Sequence, residues 1–364
     1  MNCKITFILL FLLLPFSWEW INAQQLTEEI KRKETFEVMP SATIEVINKY
    51  GNVHVSTWDK DSVSFDISFY ISEKNENRFN KIKNNVDFKI SGNSSYRVAE
   101  TVFGSKFSSF FQEIQEATNL LTATNQSRID YFIKIPSYIT LKINNRYGNI
   151  FIPDFRGNLH IQLSNGDFQA RNLFGSNTID LAFGKASIQT FDRGNLKLNF
   201  VEAQINKTTQ LDLDTKSSQV KIDNANLIKL KSKRDEIDIK KVSYIFGDTY
   251  FSKLTILGLS TEFNLLMQYG ELVHLGILPQ FKLLKLNAEY ANSTIIMDES
   301  QQPYKCHIMA PKSDVSLPND LIAQTASWKE EITEEAMLFH YKSASAKEKI
   351  QIYINDAMLK LIHK

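Results

Sequence analysis

The 364-residue sequence predicts an all-β chain: a single-stranded parallel β-helix, or solenoid, with short helical insertions and an irregular C-terminal cap. Three observations carry this. Apolar and polar residues alternate with period two in many short segments, a strand-turn-strand unit recurs along the middle of the chain, and the turn Asn48-Lys49-Tyr50-Gly51-Asn52 is restated as Asn145-Arg146-Tyr147-Gly148-Asn149.

The chain divides into residues 1–23, 24–130, 131–300 and 301–364. The first opens with Met1-Asn2-Cys3-Lys4, continues through the apolar run Ile5 to Phe16 and closes on Ala23, which is the pattern of a secretory signal peptide. A membrane-spanning helix needs roughly 20 apolar residues, and Pro15 and Glu19 stop this run short. With Cys3 in the signal, Cys306 is the single remaining thiol, so stability must come from a core and not from disulfides. Cys306 and His307 are adjacent on a strand and point to opposite faces, which disfavours a nucleophile-base pair.

In residues 24–130, Thr43 to Asn48, Val53 to Val55 and Val63 to Phe69 alternate as strands with one buried face. Glu73 to Asn85 carries Phe79, Ile82 and Val86 at helical spacing, and Phe107 to Leu121 does the same through Phe107, Phe110, Phe111, Ile114 and Ala117. The polar stretch Thr122 to Arg128 reads as a loop.

Residues 131–300 carry the repeat. Ile143, Ile161, Leu181, Leu198, Leu213 and Leu230 mark equivalent positions at differences of 18, 20, 17, 15 and 17. One such unit cannot bury its apolar side, but stacked units can, with Ile, Leu, Val and Phe inside and Asp, Lys, Asn and Gln outside. A β-sandwich of evenly spaced hairpins also yields alternating strands, although hairpins give no reason for whole strand-turn-strand units to repeat. After Ile239 the series continues at Ile256 and Leu286, differences of 26 and 30, which places insertions at Tyr244 to Tyr250 and Met267 to Pro279. These would be flanking loops, and they make Phe246, Tyr250 and Tyr269 candidate binding residues. Past Met297, prolines interrupt the pattern, Ser327 to Met337 reads as a short acidic helix, and Lys349 to Ile354 returns to strand alternation.

Composition excludes several functions. Lys+Arg number 42 against 41 Asp+Glu, a net charge of +1, without the basic excess of a nucleic-acid binder. His54, His160, His274, His307, His340 and His363 show no metal-site spacing, and neither a phosphate loop nor a nucleophile elbow occurs, so no cofactor, metal or catalytic residue is expected. The chemical candidate is an outward row of Asp212, Asp214, Asp223, Asp235 and Asp238 interleaved with Lys221, Lys229, Lys231, Lys233 and Arg234. Such a row serves either solubility or, in an enzyme, attack on a polysaccharide. Tyr50 and Tyr147, before the repeated glycine, either stack a sugar or pack at a corner.

The turns Asn48 to Val53 and Asn145 to Ile150, the entry strand Ile133-Lys134-Ile135-Pro136, and the steps Gly157-Asn158-Leu159 and Ser164-Asn165-Gly166-Asp167 resemble the putative-adhesin β-solenoid family of bacterial exported proteins of unknown function. The similarity spans roughly residues 40 to 300, and the late units, from Ile228 on, lose the turn glycine. It implies a non-enzymatic, adhesin-like envelope protein with no catalytic residues to carry over. The partner would be an envelope glycan or protein, met in the periplasm, at the outer-membrane surface or outside the cell. A polysaccharide-active enzyme and a periplasmic partner of a membrane signalling protein are the competing readings. If the leader is cleaved, the intact mass of exported protein will correspond to a chain starting at Gln24 or within a few residues of it; recovery of all 364 residues from the envelope would refute cleavage.

Overall fold

The computed structural model describes residues 25–104, 127–323 and 336–364. The leader, the segment 107–121 read as a helix, and most of the acidic segment 327–337 lie outside them. The protein is all-β: among the described residues the strands hydrogen-bond into one open 23-stranded sheet. The described helix, Glu76–Asn84, falls where the spacing of Phe79 and Ile82 places it. Asn75 caps it by accepting the Arg78 N–H at 3.1 Å, Glu76 sits in its first turn, and Lys81 and Lys83 sit in its last, each matched to the helix dipole.

Antiparallel pairs build the N-terminal end. Leu26–Glu37 runs against Ser62–Glu73 along its whole length, and the latter runs against Arg128–Ile135. Parallel ladders follow. Thr43–Lys49, Thr140–Arg146 and Leu159–Ser164 lie side by side, with Ile44 opposite Leu141 and Leu141 opposite Leu159. Further on, Leu211, Ile228, Ile245, Phe263, Leu284 and Ile350 are register partners in succession, and all are buried. A second ladder joins Ala203, Val220, Ile237, Leu254 and Leu272. Each inward side chain therefore rests on its equivalent one rung away, at the strand spacing of about 4.8 Å, and the core is a set of apolar columns.

The register corrects the sequence reading at two points. Ile161 pairs with Ile179, while Leu181 pairs with Leu163. Counting from Leu181 thus overshoots by two residues, a slip that leaves every side chain on its proper face because the strand period is two. The second correction concerns the insertions. Leu230 pairs with Gly247, Gly247 with Leu265 and Leu265 with Leu286, so Tyr244 to Tyr250 is ordinary strand within Glu236–Tyr250. The apolar series misses this rung because glycine holds the marker position: a Cβ on Gly247 would stand 1.8 Å from the Leu230 carbonyl oxygen. Of Met267 to Pro279, Met267 and Gln268 end one strand and Glu271–Ile277 forms the next.

The C-terminal residues extend the ladders. Glu348–Asn355 adds in parallel to Leu283–Glu289, and Met358–His363 to Asn292–Met297. Ala336–Tyr341 pairs antiparallel with Tyr304–Met309, so Ala336 and Met337 are strand where the sequence reading had the helix end. Cys306 is buried in that strand, and His307 is on its opposite, half-buried face.

This register makes the two faces unequal in mutational cost. Leu198→Asp places an unpaired carboxylate in the core and should lower stability by about 3 kcal/mol or more, whereas Asp212→Asn, on the outer face beside Lys229, should cost about 0.5 kcal/mol or less. Urea midpoints measure both, and equal shifts would refute the register.

Candidate ligand groove

The site begins at the corner between the two ladders. There one residue per rung takes the left-handed conformation: Tyr50, Tyr147, Asn165, Phe183, Phe200, Ser217, Arg234, Phe251, Tyr269 and Tyr290 all have φ between 50° and 70°. Their N–H groups donate to the rung above, as Asn165 does to Ala182 at 2.8 Å, Arg234 to Tyr250 at 2.9 Å and Phe251 to Gln268 at 2.9 Å. The conformation costs an L-residue roughly 1–2 kcal/mol, and asparagine suffers least. Aromatic residues nevertheless fill most of the positions. Their rings stack along the corner: Tyr50 on Tyr147 at 5.3 Å, Phe183 on Phe200 at 5.1 Å, Phe251 on Tyr269 at 5.2 Å and Tyr269 on Tyr290 at 5.1 Å. Such pairs contribute about 0.5–1.5 kcal/mol each, which offsets part of the strain. Burial beside Tyr147 also pushes the Tyr50 phenol up to about 12.

Behind the corner the chain turns inward. In early rungs an asparagine amide secures the turn: Asn145 Nδ2 donates to the carbonyls of Gly51 and Gly148, both at 3.0 Å. In later rungs a carboxylate does so. Asp235, only 5% exposed, accepts from Thr215 Oγ1 and Ser232 Oγ at 2.6 Å and from the N–H groups of Ser218 and Lys233 at 2.7 Å. Asp235 is therefore removed from the outward row, since all of these bonds point into the turn.

The rest of the row is split by the corner. Asp223 and Asp238 lie on the second ladder, where Lys240 holds Asp223 at 2.6 Å and Lys221 is the register partner of Asp238. On the first ladder three lines of outward residues run across the strands: Asp212, Lys229 and Phe246; Asp214, Lys231 and Asp248; Lys216, Lys233 and Tyr250. Two adjoining depressions of about 600 and 550 Å³ lie over them, sharing Lys197, Asp214 and Lys231. Phe246 lines the first and Tyr250 the second. The structure thus brings two of the three expected binding residues together, on strands and not on loops. Tyr269 stands beside them on the corner, 45% exposed, with Tyr250 edge-on to it at 5.5 Å.

The groove is polar and mixed in sign. Lys229 reaches Asp212 at 3.8 Å, Lys197 reaches Asp180 at 3.4 Å, and the Lys233 ammonium lies 5.7 Å from the centre of the Tyr250 ring. Among the described residues no cluster of His, Cys, Asp and Glu is arranged to hold a metal ion, and no helix is long and apolar enough to cross a membrane. The corner row escapes a reading of alternation because its residues sit at bends, between strands or, for Phe183 and Phe200, within Phe168–Lys216. Its signal is the recurrence of an aromatic at Phe183, Phe200, Phe251 and Tyr269, in steps of 17 or 18 residues or a multiple.

No family model and no curated protein matches the chain. Among solved structures it is similar to a putative cell adhesion protein from Clostridium sporogenes, with 10% identity over 93% of this chain and 100% of that one and a TM-score of 0.22. It is also similar to a putative adhesin from Bacteroides fragilis, with 9% identity over 92% of this chain and 97% of that one and a TM-score of 0.25. Overlays this loose place no residue of either protein on a residue of this one.

Removing the Asp235 carboxylate leaves the buried Thr215 hydroxyl and the N–H groups of Ser218 and Lys233 without an acceptor, while Ser232 Oγ keeps Ser252 Oγ at 2.9 Å. Asp235→Ala should therefore destabilise the protein by about 3 kcal/mol, read as a lower urea midpoint, and a value within error of wild type would show that water replaces the carboxylate without loss.

Proposed function

We propose that the chain is an exported, non-catalytic, adhesin-like protein of the cell envelope, built as a parallel β-solenoid, whose groove holds an extended glycan. The observation that carries this reading is the run of outward side chains from Asp212 to Tyr250, in which hydrogen-bonding charges and half-buried rings line two adjoining open depressions. A sugar chain needs both: rings to cover the apolar face of each residue, and charged or amide groups to meet its hydroxyls. A broad protein interface would be expected to centre on an apolar patch with charges at the rim, whereas here lysine and aspartate occupy the middle. The run crosses several strands, so the contacts suit a polymer. Export rests on the leader sequence, and the site calls for no cofactor.

The rival reading, a polysaccharide-cleaving enzyme, needs a free carboxylate pair. Asp235, which the sequence offers for it, is committed to the turn, and Asp212 is beside Lys229. Binding of the mature chain to an oligosaccharide panel, followed by product analysis, tests the proposal. The expected result is retention without cleavage, weakened about tenfold by Phe246→Ala or Tyr250→Ala at an unchanged circular-dichroism spectrum. Cleavage that disappears in Asp214→Asn would overturn it in favour of the enzyme.

A further inference from the structure

The aromatic stack on the corner is broken where the charge of the groove is least balanced. Phe183 covers one face of Phe200, and Tyr269 covers one face of Phe251. Between Phe200 and Phe251 the corner holds only Ser217 and Arg234. Three rungs separate the two phenylalanines, roughly 14 Å at the parallel-strand spacing. Both rings are about half exposed, at 50% and 47%, and Phe251 also meets Tyr250 edge-on at 4.5 Å. Arg234 rises between them, exposed, and its guanidinium has no hydrogen bond, ion pair or ring contact among the described residues.

The adjoining groove is polarised toward this gap. At its far side Asp212 neutralises Lys229, and in the middle Asp214 and Asp248 flank Lys231. Next to the corner, Lys216 and Lys233 are register partners of one another, and the following rung offers Tyr250, not a carboxylate. Like charges on neighbouring strands repel; on their own face Asp214 and Asp248 stand one alternation step away, and the Lys233 ammonium lies 5.7 Å from the centre of the Tyr250 ring. Beside Arg234, the Asp235 carboxylate is enclosed in the turn, where it accepts the Lys233 N–H, and across the corner Lys185 holds Glu202 at 2.9 Å. Lys216, Lys233 and Arg234 therefore form a cationic patch between two ring faces.

We propose that this notch selects an acidic glycan: the carboxylate of a uronate-type residue pairs with Arg234, Lys216 and Lys233 while sugar rings lie against the exposed surfaces of Phe200 and Phe251. Arg234 suits the role because its planar fork binds a carboxylate through two parallel hydrogen bonds. The proposal rests on the glycan reading of the groove and narrows it to one charge class. Neutral glycans would still meet Phe246 and Tyr250 but leave the cations unpaired.

The test uses the mature chain and matched oligosaccharides: hexagalacturonate and its methyl ester, the same sugar chain with its charges kept or masked by methyl groups, with cellohexaose and a hyaluronan oligosaccharide as further neutral and acidic probes. The expected result is tighter binding of the acidic members, falling with salt. Arg234→Asn should weaken that binding at least about tenfold while leaving neutral binding unchanged. Asparagine is the substitution of choice because Asn165 already occupies the same corner position in this chain. The double variant Ser217→Phe, Arg234→Phe fills the gap with rings, and should abolish acidic binding with a urea midpoint no lower than wild type. Equal affinity for the acid and its ester, or an Arg234→Asn variant that binds as wild type, overturns the notch and leaves the groove standing. Failure of every probe, acidic and neutral, overturns both.

Discussion

The fold depends on the corner at which one ladder passes into the next. Every rung must bend there within two or three residues, and the left-handed residue does this while keeping its N–H in the ladder. The position after it decides what kind of turn results. In the early rungs it is Gly51, Gly148, Gly166 and Gly184, stacked so closely that a Cβ on Gly148 would lie 1.9 Å from the Gly51 carbonyl oxygen. From Val201 to Ser252 the same column carries side chains, and Val201, Ser218, Asp235 and Ser252 all turn inward and are buried, before glycine returns at Gly270. An apolar Val201 needs no partner. Ser218 and Asp235 do, and the network they share with Thr215 and Ser232 replaces the asparagine amides of the glycine turns. Register therefore survives the loss of glycine, because hydrogen bonds to a buried carboxylate hold the turn that close backbone contact held before.

This explains which parts of the molecule were legible in sequence. Alternation reports the inward and outward faces, so the strands around Ile143, Ile161 and Leu213 and the burial of Leu198 follow directly from it. It does not report register to better than two residues, as the pairing of Leu181 with Leu163 shows. A rung whose marker position is glycine disappears from the count, and Gly247 alone created an apparent loop at Tyr244 to Tyr250. Asp235 misleads for a different reason. Its charge suggests the surface, but residues at a turn have no fixed face, and only the positions of Thr215 and Ser232 on neighbouring rungs reveal that the carboxylate is enclosed. Phe246 and Tyr250 were singled out for a geometry they lack, and they reach the surface through strand alternation instead.

The same contrast separates structural charge from charge free to meet a ligand. Asp235 is buried with its acceptors saturated, and Asp223 is held by Lys240. Asp212 beside Lys229 and Asp180 beside Lys197 form solvated pairs of small net effect. What remains after these are removed is concentrated where the first ladder meets the corner. The strain of the corner acts in the same direction. A left-handed backbone with a large side chain is retained only when something offsets it, and along most of the row that is ring stacking. At Arg234 there is no stacking and no ion pair among the described residues, so the arginine carries the backbone cost and the repulsion of Lys233 without an intramolecular return. An asparagine in its place would relieve both, as Asn165 demonstrates three corner rungs before Ser217. A residue that is costly to the isolated fold, between two half-exposed rings, is the feature of this surface that stability alone leaves unexplained, and an anionic partner is the interaction that accounts for its charge, its exposure and its place in the row.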